Sequence, residues 1–472
     1  MEKSVLNDAI VTGRTAQGGD IRATVMHVTR FMVVFELYNA GVVLHVSEVL
    51  ADFKIVVQNR IVYSGRAIVK NLVDTGLLLI CEVNLEDSWL DVDLWISDLS
   101  GTKLQEEFKR FFEGWQNVYR VSPEYKMLAA DMHTFLSDLR LWLEQVELGI
   151  RALPDGDRSE VERRLAEQIS QSVFPCLDGL FEQFEGVAAR IQEDARPGHE
   201  AYIKRLIHPL VLSSPFAFRS VQKPLGYAGD YQMVNMILGD PHQGGSLFGK
   251  VLNRWFIKQP PAEAHRNRIK YLTQKLVEET ARVSAQKRTA RVYNIGCGPA
   301  GEVLSFLEQQ DVSDRAELTL LDFNDETLTY ARNSLETAKR QHHRITPIQF
   351  VKKSVFQILK GKGKSVEGPL ETKYDLIYCA GLFDYLNDQV CQQLSGLLYD
   401  MLAPGGLLIT TNVDVSNPIR HWLGAILEWH LIYRSSRQFQ ALGAHLPNQD
   451  SVRIWSDETG VNLFFEIRKA AP

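Results

Sequence analysis

The sequence has few cysteines, no long apolar run and no strong excess of either charge. Its five cysteines are far apart and odd in number, which excludes a disulfide scaffold and argues against a zinc site. No apolar run reaches the ~18 residues that a membrane-spanning helix needs, so we expect no membrane span. The N-terminus lacks a basic segment followed by an apolar core. We therefore expect no signal peptide and a cytoplasmic protein.

The charge balance is close to neutral. A net charge of −6 arises from 52 Lys and Arg against 58 Asp and Glu. Because this gives no strong positive field, we predict no nucleic-acid partner. Hydrophobic residues make up 45% and charged residues 23% of the chain, which is typical of a globular rather than a disordered protein. At roughly 150 residues per domain, the length favours about three domains.

The first half of the chain contains two kinds of sequence pattern. Short β-rich runs fill residues 20–96, and turn residues at 39–41 and 63–65 separate some of them. Residues 1–100 are therefore predicted to form a small antiparallel β-barrel. Residues 101–215 are predicted to be a helical domain, because apolar residues recur there at three- and four-residue steps. These are Phe108, Phe111, Phe112, Trp115 and Val118, and later Phe135, Leu139, Trp142 and Val146.

The second half of the chain ends in a pattern of alternating strands and helices. Residues 216–289 are predicted to hold a substrate loop and connecting helices. From residue 290 to 472, short apolar strands alternate with glycine turns and helices, which predicts a doubly wound, mainly parallel α/β sheet. Two strands around a turn close the chain, so we expect an antiparallel edge on this sheet.

A glycine-rich loop follows the first strand of this α/β region. It reads Gly296-Cys297-Gly298-Pro299-Ala300-Gly301 and opens a helix. Glycine lets the backbone turn sharply and approach a ligand closely. The next strand ends in Asp322, 21 residues after Gly301, where an acid accepts hydrogen bonds from ribose hydroxyls. The spacing predicts a nucleoside cofactor and by itself suits either NAD or S-adenosylmethionine.

Four segments in order resemble the motifs of class I S-adenosylmethionine-dependent methyltransferases. They are Tyr293-Asn294-Ile295-Gly296-Cys297-Gly298-Pro299-Ala300-Gly301, Leu320-Leu321-Asp322-Phe323-Asn324, Tyr374-Asp375-Leu376-Ile377-Tyr378-Cys379-Ala380-Gly381-Leu382-Phe383-Asp384-Tyr385, and Leu402-Ala403-Pro404-Gly405-Gly406-Leu407-Leu408. The resemblance implies a Rossmann-like, seven-stranded sheet, S-adenosylmethionine as the cofactor and methyl transfer as the activity. It implies no metal.

The resemblance also assigns cofactor-binding roles to particular positions. It places Gly296, Cys297 and Gly298 at the methionine part of the cofactor and counts Gly301 among the cofactor-binding residues. It places Asp322 on the ribose and Phe323 beside the adenine. Ser354, where many members have Asp, and Val355 would border the adenine edge. Cys379, Ala380 and Gly381 would line the floor near the methyl group, with a small buried core residue as the alternative for Cys379.

A second block lies upstream of the sheet. Residues 214–231 end in Gly226-Tyr227-Ala228-Gly229-Asp230-Tyr231, which has no helical or strand period. Either it is an interdomain linker or it carries binding groups, as loops on a rigid scaffold often do. With the methyltransferase motifs, it resembles the bacterial 3-hydroxypalmitic acid methyl ester (extracellular factor) biosynthesis family over residues 200–470. That resemblance implies a small-molecule or lipid-like acid, a 3-hydroxy fatty acid, esterified to a diffusible quorum-sensing signal.

Four residues are the candidates for the substrate side. We predict that Tyr227 and Tyr231 close over the cofactor and orient the substrate, and that Arg434 holds its carboxylate by a two-point contact. Asp230 is predicted to hold the loop through its backbone. If the nucleophile is instead a hydroxyl, Asp230 or Asp384 would act as the base.

Residues 420–440 are predicted to be a helix with two faces. Trp422, Ile426, Trp429 and Tyr433 would share an apolar face, either core or acyl pocket, and His430, Arg434 and Arg437 a basic one.

The N-terminal barrel faintly resembles PilZ domains, the receptors of cyclic di-GMP. Their arginine pair is absent, and the nearest match to their second motif is His45-Val46-Ser47-Glu48-Val49-Leu50, which lacks the acid and the glycine. We therefore interpret the barrel as a degenerate module for contact or substrate delivery.

The alternatives to a carboxyl O-methyltransferase are a non-catalytic S-adenosylmethionine-binding regulator and an enzyme that methylates a hydroxyl or an amine. The sequence leaves a homodimer open.

Overall fold

A computed structural model of the chain describes residues 9–16, 18–29, 31–37, 44–57, 60–74, 79–87, 121–152, 154–360 and 373–471. The predicted turn at 39–41 and the predicted helical residues between 108 and 118 lie outside these ranges.

The N-terminal region is a closed antiparallel barrel with the strand order β1-β2-β3-β6-β5-β4. Side chains alternate along its strands; in β3, Val33, Phe35 and Leu37 are buried while their neighbours are partly exposed. This period of two fills the barrel interior with apolar side chains. The prediction of a small barrel is confirmed. Its strands are β1 (Ile10–Arg14), β2 (Asp20–Val28), β3 (Met32–Leu37), β4 (Val49–Val57), β5 (Arg60–Asp74) and β6 (Leu79–Leu85).

The predicted turn at residues 63–65 is wrong, because these residues lie inside β5. This strand pairs with β4 through its first half and with β6 through its second half, and both ladders contain register shifts. Such bulges let one long strand bend between two partners. A Cβ atom at Gly65 would collide with the Asp87 carboxylate. The glycine therefore reflects a close approach within a strand rather than a turn.

The central region is helical, as predicted. Its first described helix begins at Ser122, whose hydroxyl accepts a hydrogen bond from the Tyr125 amide at 3.3 Å. None of the helices in the described ranges combines the length and the apolar character that crossing a lipid bilayer requires. The helices are α1 (Pro123–Arg151), α2 (Asp155–Ala188), α3 (Arg196–Val211), α4 (Pro215–Gln222), α5 (Tyr231–Leu238), α6 (Leu247–Phe256) and α7 (Pro260–Ser284).

The C-terminal region is the predicted seven-stranded sheet, with the order β12-β13-β11-β10-β7-β8-β9. Strands β7 to β11 run parallel, and β13 is antiparallel to both β11 and β12. Its strands are β7 (Ala290–Ile295), β8 (Ala316–Asp322), β9 (Ile348–Lys352), β10 (Tyr374–Cys379), β11 (Leu402–Val413), β12 (Arg453–Ser456) and β13 (Asn462–Arg468). Its helices are α8 (Gly301–Gln309), α9 (Asp325–Gln341), α10 (Val355–Lys360), α11 (Asp388–Met401), α12 (Arg420–Ala425) and α13 (Ser436–Ala441).

The strand order reverses between β7 and β10, which are neighbours in the sheet. At such a switch point the two following loops diverge and leave a cleft at the carboxyl ends of the strands. The glycine loop after β7 and Ala380 and Gly381 after β10 therefore meet at this edge.

The predicted helix over residues 420–440 is wrong. Only Arg420–Ala425 and Ser436–Ala441 are helical, and an irregular segment separates them. Glu428 has φ +53°, a left-handed conformation that an α-helix cannot continue through. The two predicted faces therefore do not form. Trp422 still packs into the core of the helical region, with its ring centroid 5.3 Å from that of Phe181.

The Glu428 side chain is buried beside two lysines. Its carboxylate lies 2.6 Å from Lys204 Nζ on α3 and 3.9 Å from Lys223 Nζ, just after α4. Burial acts to raise the pKa of Glu428, but the two lysines lower it to about 2. Burial in turn lowers the pKa of Lys223 to about 8. This buried ion cluster joins the irregular 426–435 segment to the helical region.

We expect Glu428→Gln to lower the free energy of unfolding by about 3–5 kcal/mol, because it removes the nearest counter-charge of the buried Lys223 and the partly exposed Lys204. Urea unfolding of the purified variant measures the change. Glu458 is exposed, so Glu458→Gln serves as the matched control and should stay within about 0.5 kcal/mol of the wild type. Equal stability of both variants would contradict a central role for the cluster.

Candidate functional site

A cavity of about 260 Å³ lies at the carboxyl ends of β7, β8 and β10. Its wall comes from all three regions, and the barrel contributes Ala16, His45, Val46 and Glu48. In the described ranges, no group of three or more His, Cys, Asp or Glu side chains is arranged to hold a metal ion. The glycine loop, the strand ends and the helices above them supply most of the other lining residues.

The glycine loop after β7 is shaped for a ligand. Gly296 and Gly298 have φ +68° and +54°, and a Cβ atom built on Gly298 would meet nothing within 4 Å. This part of the loop therefore faces open space in the cavity, where its backbone can approach a bound molecule. Cys297 lines the same cavity. Gly301 also borders it, but its position serves packing, since a Cβ there would lie 3.3 Å from Leu238 and 3.5 Å from Ile269.

Asp322 ends β8 beside this loop. Its Oδ2 accepts a hydrogen bond from the Gly298 amide at 3.2 Å, and its Oδ1 accepts one from the Asn324 amide at 3.0 Å. A carboxylate offers about four acceptor sites, so two remain for ribose hydroxyls. Burial raises the pKa of Asp322 to about 6. Together with the open glycine loop, this acid fits a nucleoside cofactor.

Most of the other predicted cofactor residues also line the cavity, namely Phe323, Ser354, Val355, Ala380 and Gly381. Cys379 does not, and its assignment to the cavity floor is wrong. It is 0% exposed and packs in the sheet core, because successive side chains of a strand point to opposite faces. The alternative interpretation as a small buried core residue holds for Cys379.

The 226–231 block lies beside Phe323, at the side of the cavity where the adenine is predicted to bind. The Tyr227 and Phe323 ring centroids are 5.3 Å apart, and both Tyr227 and Tyr231 line the cavity. The Tyr231 hydroxyl donates to Glu326 Oε1 at 2.9 Å. The motif thus places two tyrosines in the wall of the cavity that the glycine loop also lines, where they can contact a ligand.

Asp230 has a structural role, so its assignment as a catalytic residue is wrong. Its carboxylate is buried, is bound by the Arg219 guanidinium at 2.8 Å, and accepts from the amides of Gln232 and Met233 at the start of α5. These contacts use its acceptor sites and cap the helix. The predicted backbone-holding role is the one that the structure shows.

Arg434 is likewise not a substrate clamp. Its guanidinium donates to Asp388 Oδ1 at 2.9 Å, to Asn412 Oδ1 at 2.6 Å and to the carbonyls of Phe383 and Leu386. The side chain is 2% exposed and ties the 383–388 loop to β11. With its donors directed at these acceptors, it has no geometry for a carboxylate in the cavity.

The sequence reasoning missed Arg268, Glu302 and Tyr385, which all line the cavity. Glu302 accepts from Asn294 at 3.0 Å and from the Tyr378 hydroxyl at 2.8 Å, which ties α8 to β7 and β10. The Tyr385 hydroxyl accepts from Trp429 Nε1 at 2.9 Å. Arg268 sits on α7 among several basic residues, and nothing in that pattern distinguishes it from a solvated charge.

An apolar lobe extends the cavity into the helical region. It is lined by Phe216, Phe256, Ile419, Trp422 and Leu427. The lobe is continuous with the cofactor edge, and it explains why Trp422 borders the site although the predicted helix is broken. An elongated apolar group fits such a wall, because its burial there removes apolar surface from water.

Residues 293–408 match a family described as "Methyltransferase domain". No curated protein matches the chain. Among solved structures, a possible exported protein from Bordetella parapertussis is 18% identical, covers 54% of this chain and 86% of its own, and has a TM-score of 0.39. Magnesium protoporphyrin IX methyltransferase from Synechocystis PCC 6803, with bound S-adenosylhomocysteine, is 10% identical, covers 57% and 99%, and has a TM-score of 0.34.

The N-methyltransferase NodS from Bradyrhizobium japonicum WM9, also with S-adenosylhomocysteine, is 16% identical, covers 51% and 97%, and has a TM-score of 0.29. Similarities this low do not indicate which reaction the protein catalyses. The family match overlaps the glycine loop, Asp322 and Gly381. Residues 293–408 therefore form a methyltransferase domain, and the residues of the site fit S-adenosylmethionine as its cofactor.

Asp322→Ala should weaken S-adenosylmethionine binding by about 1.5–3 kcal/mol, the scale for losing charge-assisted hydrogen bonds. Because only the ionised carboxylate accepts from both hydroxyls, wild-type affinity should fall as the pH drops through about 6, the pKa of Asp322. Calorimetry across this pH range tests both effects, and Asp322→Asn should remove the pH dependence.

Asp450 is exposed, so Asp450→Ala is the control and should bind as the wild type does. NAD should not bind. Unchanged affinity of Asp322→Ala would mean that this acid does not hold the cofactor.

Proposed function

We propose that this protein is an S-adenosylmethionine-dependent O-methyltransferase that esterifies the carboxylate of an acid with a long apolar body, such as a 3-hydroxy fatty acid. The observation that carries the proposal is the apolar lobe. It belongs to the same cavity as Ala380 and Gly381, which follow β10 at the switch point beside the glycine loop. An acyl chain in the lobe would therefore share one cavity with the cofactor.

The cofactor supplies an electrophilic methyl group when bound. The protein's own task is then to hold the acid in line with that group and to exclude water. A carboxylate with a pKa near 4–5 is already ionised at neutral pH, so no general base is needed. Tyr227 and Tyr231 line the cavity and would cover the cofactor, and Phe216 and Trp422, which line it as well, would hold the chain.

A hydroxyl acceptor is the second candidate, and Asp384 is the observation that favours it. This acid lines the cavity, and burial raises its pKa to about 6, within the range suited to a general base. However, its Oδ1 already accepts from the Val413 amide at 2.7 Å. We therefore place the carboxylate first.

Saturated 3-hydroxy acids of increasing length, supplied with methyl-labelled cofactor, test the proposal. We expect labelled methyl esters, with KM falling by about fourfold per added methylene until the lobe is full, because each buried methylene contributes about 0.8 kcal/mol. Mild alkali should release the label from an ester but not from an ether. The matching 3-hydroxy amides are the control and should not react.

The dependence of rate on pH separates the two candidates. With saturating substrates and a carboxylate acceptor, kcat should stay flat from about pH 6 to 8. A hydroxyl acceptor with Asp384 as base would instead lose rate as the pH falls through about 6, the pKa of Asp384. Alkali-stable label, or no turnover with any acid, would overturn the esterification.

Tyr227→Phe should lower kcat by about tenfold while leaving cofactor affinity nearly intact, because losing the hydroxyl disturbs substrate alignment rather than the nucleoside contacts. Steady-state kinetics and calorimetry on the same preparation measure the two effects. Tyr330 contacts Tyr231, with ring centroids 4.7 Å apart, but does not line the cavity. Tyr330→Phe is therefore the control. Wild-type turnover of Tyr227→Phe would show that the block only links domains.

A further inference from the structure

We propose that Arg268, on α7, is the carboxylate-binding residue of the cavity. Its guanidinium stands over Gly381, the residue that follows β10 at the switch point. A Cβ atom on Gly381 would lie 3.0 Å from Arg268 Nη1 and 3.2 Å from Nη2, and Gly381 itself has φ +88°. The left-handed backbone favours glycine here, and a Cβ atom would crowd the guanidinium. The positive charge therefore lies at the edge where methyl transfer takes place.

The guanidinium has unused hydrogen-bond donors. Arginine carries five N–H groups, yet within the described ranges the hydrogen bond found for Arg268 is the one from Nη2 to His265 Nδ1 at 2.7 Å. Arg266, on the same helix, instead donates to Glu263 and to the carbonyls of Ile237 and Ile257 at 2.8–3.0 Å. Arg268 is partly exposed and lines the cavity, so its remaining donors are available to an acceptor from outside the chain.

His265 orients the Arg268 guanidinium without neutralising its positive charge. To accept on Nδ1, the ring must be unprotonated there, and burial together with the charges of Arg268 and Arg266 lowers the pKa of His265 well below its usual range. A neutral imidazole holds one Nη2 hydrogen and leaves the full positive charge on the guanidinium. The pair is thus a fixed cation rather than an internal ion pair.

The acids nearest to Arg268 each accept hydrogen bonds from other groups. Asp384 and Glu302 line the same cavity and attract its charge. However, Asp384 Oδ1 accepts from the Val413 amide, and Glu302 Oε1 accepts from both Asn294 and Tyr378. Neither acid makes a two-point contact with the guanidinium. An incoming carboxylate matches the planar fork with two parallel hydrogen bonds.

A carboxylate can reach this position from two sources. One is the amino-acid end of the cofactor, and the other is the head group of the acid substrate. Only the second source rests on the function proposed above. The shared chemistry is a planar anion beside Gly381, and ligands with and without that anion distinguish the two sources.

The test compares S-adenosylhomocysteine with 5′-methylthioadenosine, which lacks the amino-acid carboxylate, in wild-type protein and in Arg268→Gln. If the cofactor carboxylate is bound, Arg268→Gln weakens S-adenosylhomocysteine by about 10- to 100-fold, the scale for a charge-assisted pair, and leaves methylthioadenosine unchanged. A merely structural role would weaken both ligands alike. Arg268→Lys, which keeps the charge but loses the fork, should show an intermediate loss.

If the substrate carboxylate is bound, S-adenosylhomocysteine affinity is unchanged and KM for the fatty acid rises by a similar factor. Lys270 is exposed on the same helix, so Lys270→Gln is the control and should match the wild type in both arms. Failure of the wild type to turn over any acid would overturn the proposed esterification but leave the cofactor arm readable. Wild-type behaviour of Arg268→Gln in every available arm overturns the assignment of Arg268.

Discussion

The ion cluster of Glu428 with Lys204 and Lys223 is the constraint on which the site depends. It holds Glu428 in a left-handed conformation and bends the following segment across the cavity. From there, the His430 amide donates to Ser47 Oγ of the barrel at 2.6 Å, and the Ile432 amide donates to the Asp384 carbonyl at 2.7 Å. One charge cluster thereby positions a wall of the cavity, a contact with the barrel and the loop after β10. A buried charge without its partner is very costly. Conformations that separate Glu428 from the two lysines are therefore strongly disfavoured.

The barrel is part of the site rather than an appendage. The Val49 amide donates to the Gly226 carbonyl at 2.6 Å, and the Val46 amide donates to the Tyr385 carbonyl at 3.4 Å. Both donors belong to residues 45–50, the nearest match to the second PilZ motif. In this chain the segment is used to contact the 226–231 block and the loop after β10. These contacts support the interpretation of the barrel as a contact module, whose further role stays a prediction.

Saturation of donors and acceptors separates structural charges from those available to a ligand. Arg434 and Asp230 both looked suited to catalysis by residue type, but protein partners occupy them. Arg268 has the same chemistry as Arg434 and lies in the cavity with most of its donors unused. Because a hydrogen-bonding group that is already paired inside the protein gains little from a ligand, pairing decides function more than residue type does.

The sequence by itself determined the features that depend on local pattern: the presence of a small β-barrel, although not the bounds of its strands, the order of strands and helices after residue 290, the glycine loop and Asp322. Strand period, turn chemistry and a backbone that must turn tightly are all local properties. Only the tertiary structure decided that the chain bends at Glu428, that Cys379 points into the sheet core and that Arg268 rather than Arg434 faces the cavity. Each of these depends on partners distant in sequence, such as Lys204 for Glu428 and Asn412 for Arg434. Burial and pairing of charges are properties of the assembled fold, and no local period records them.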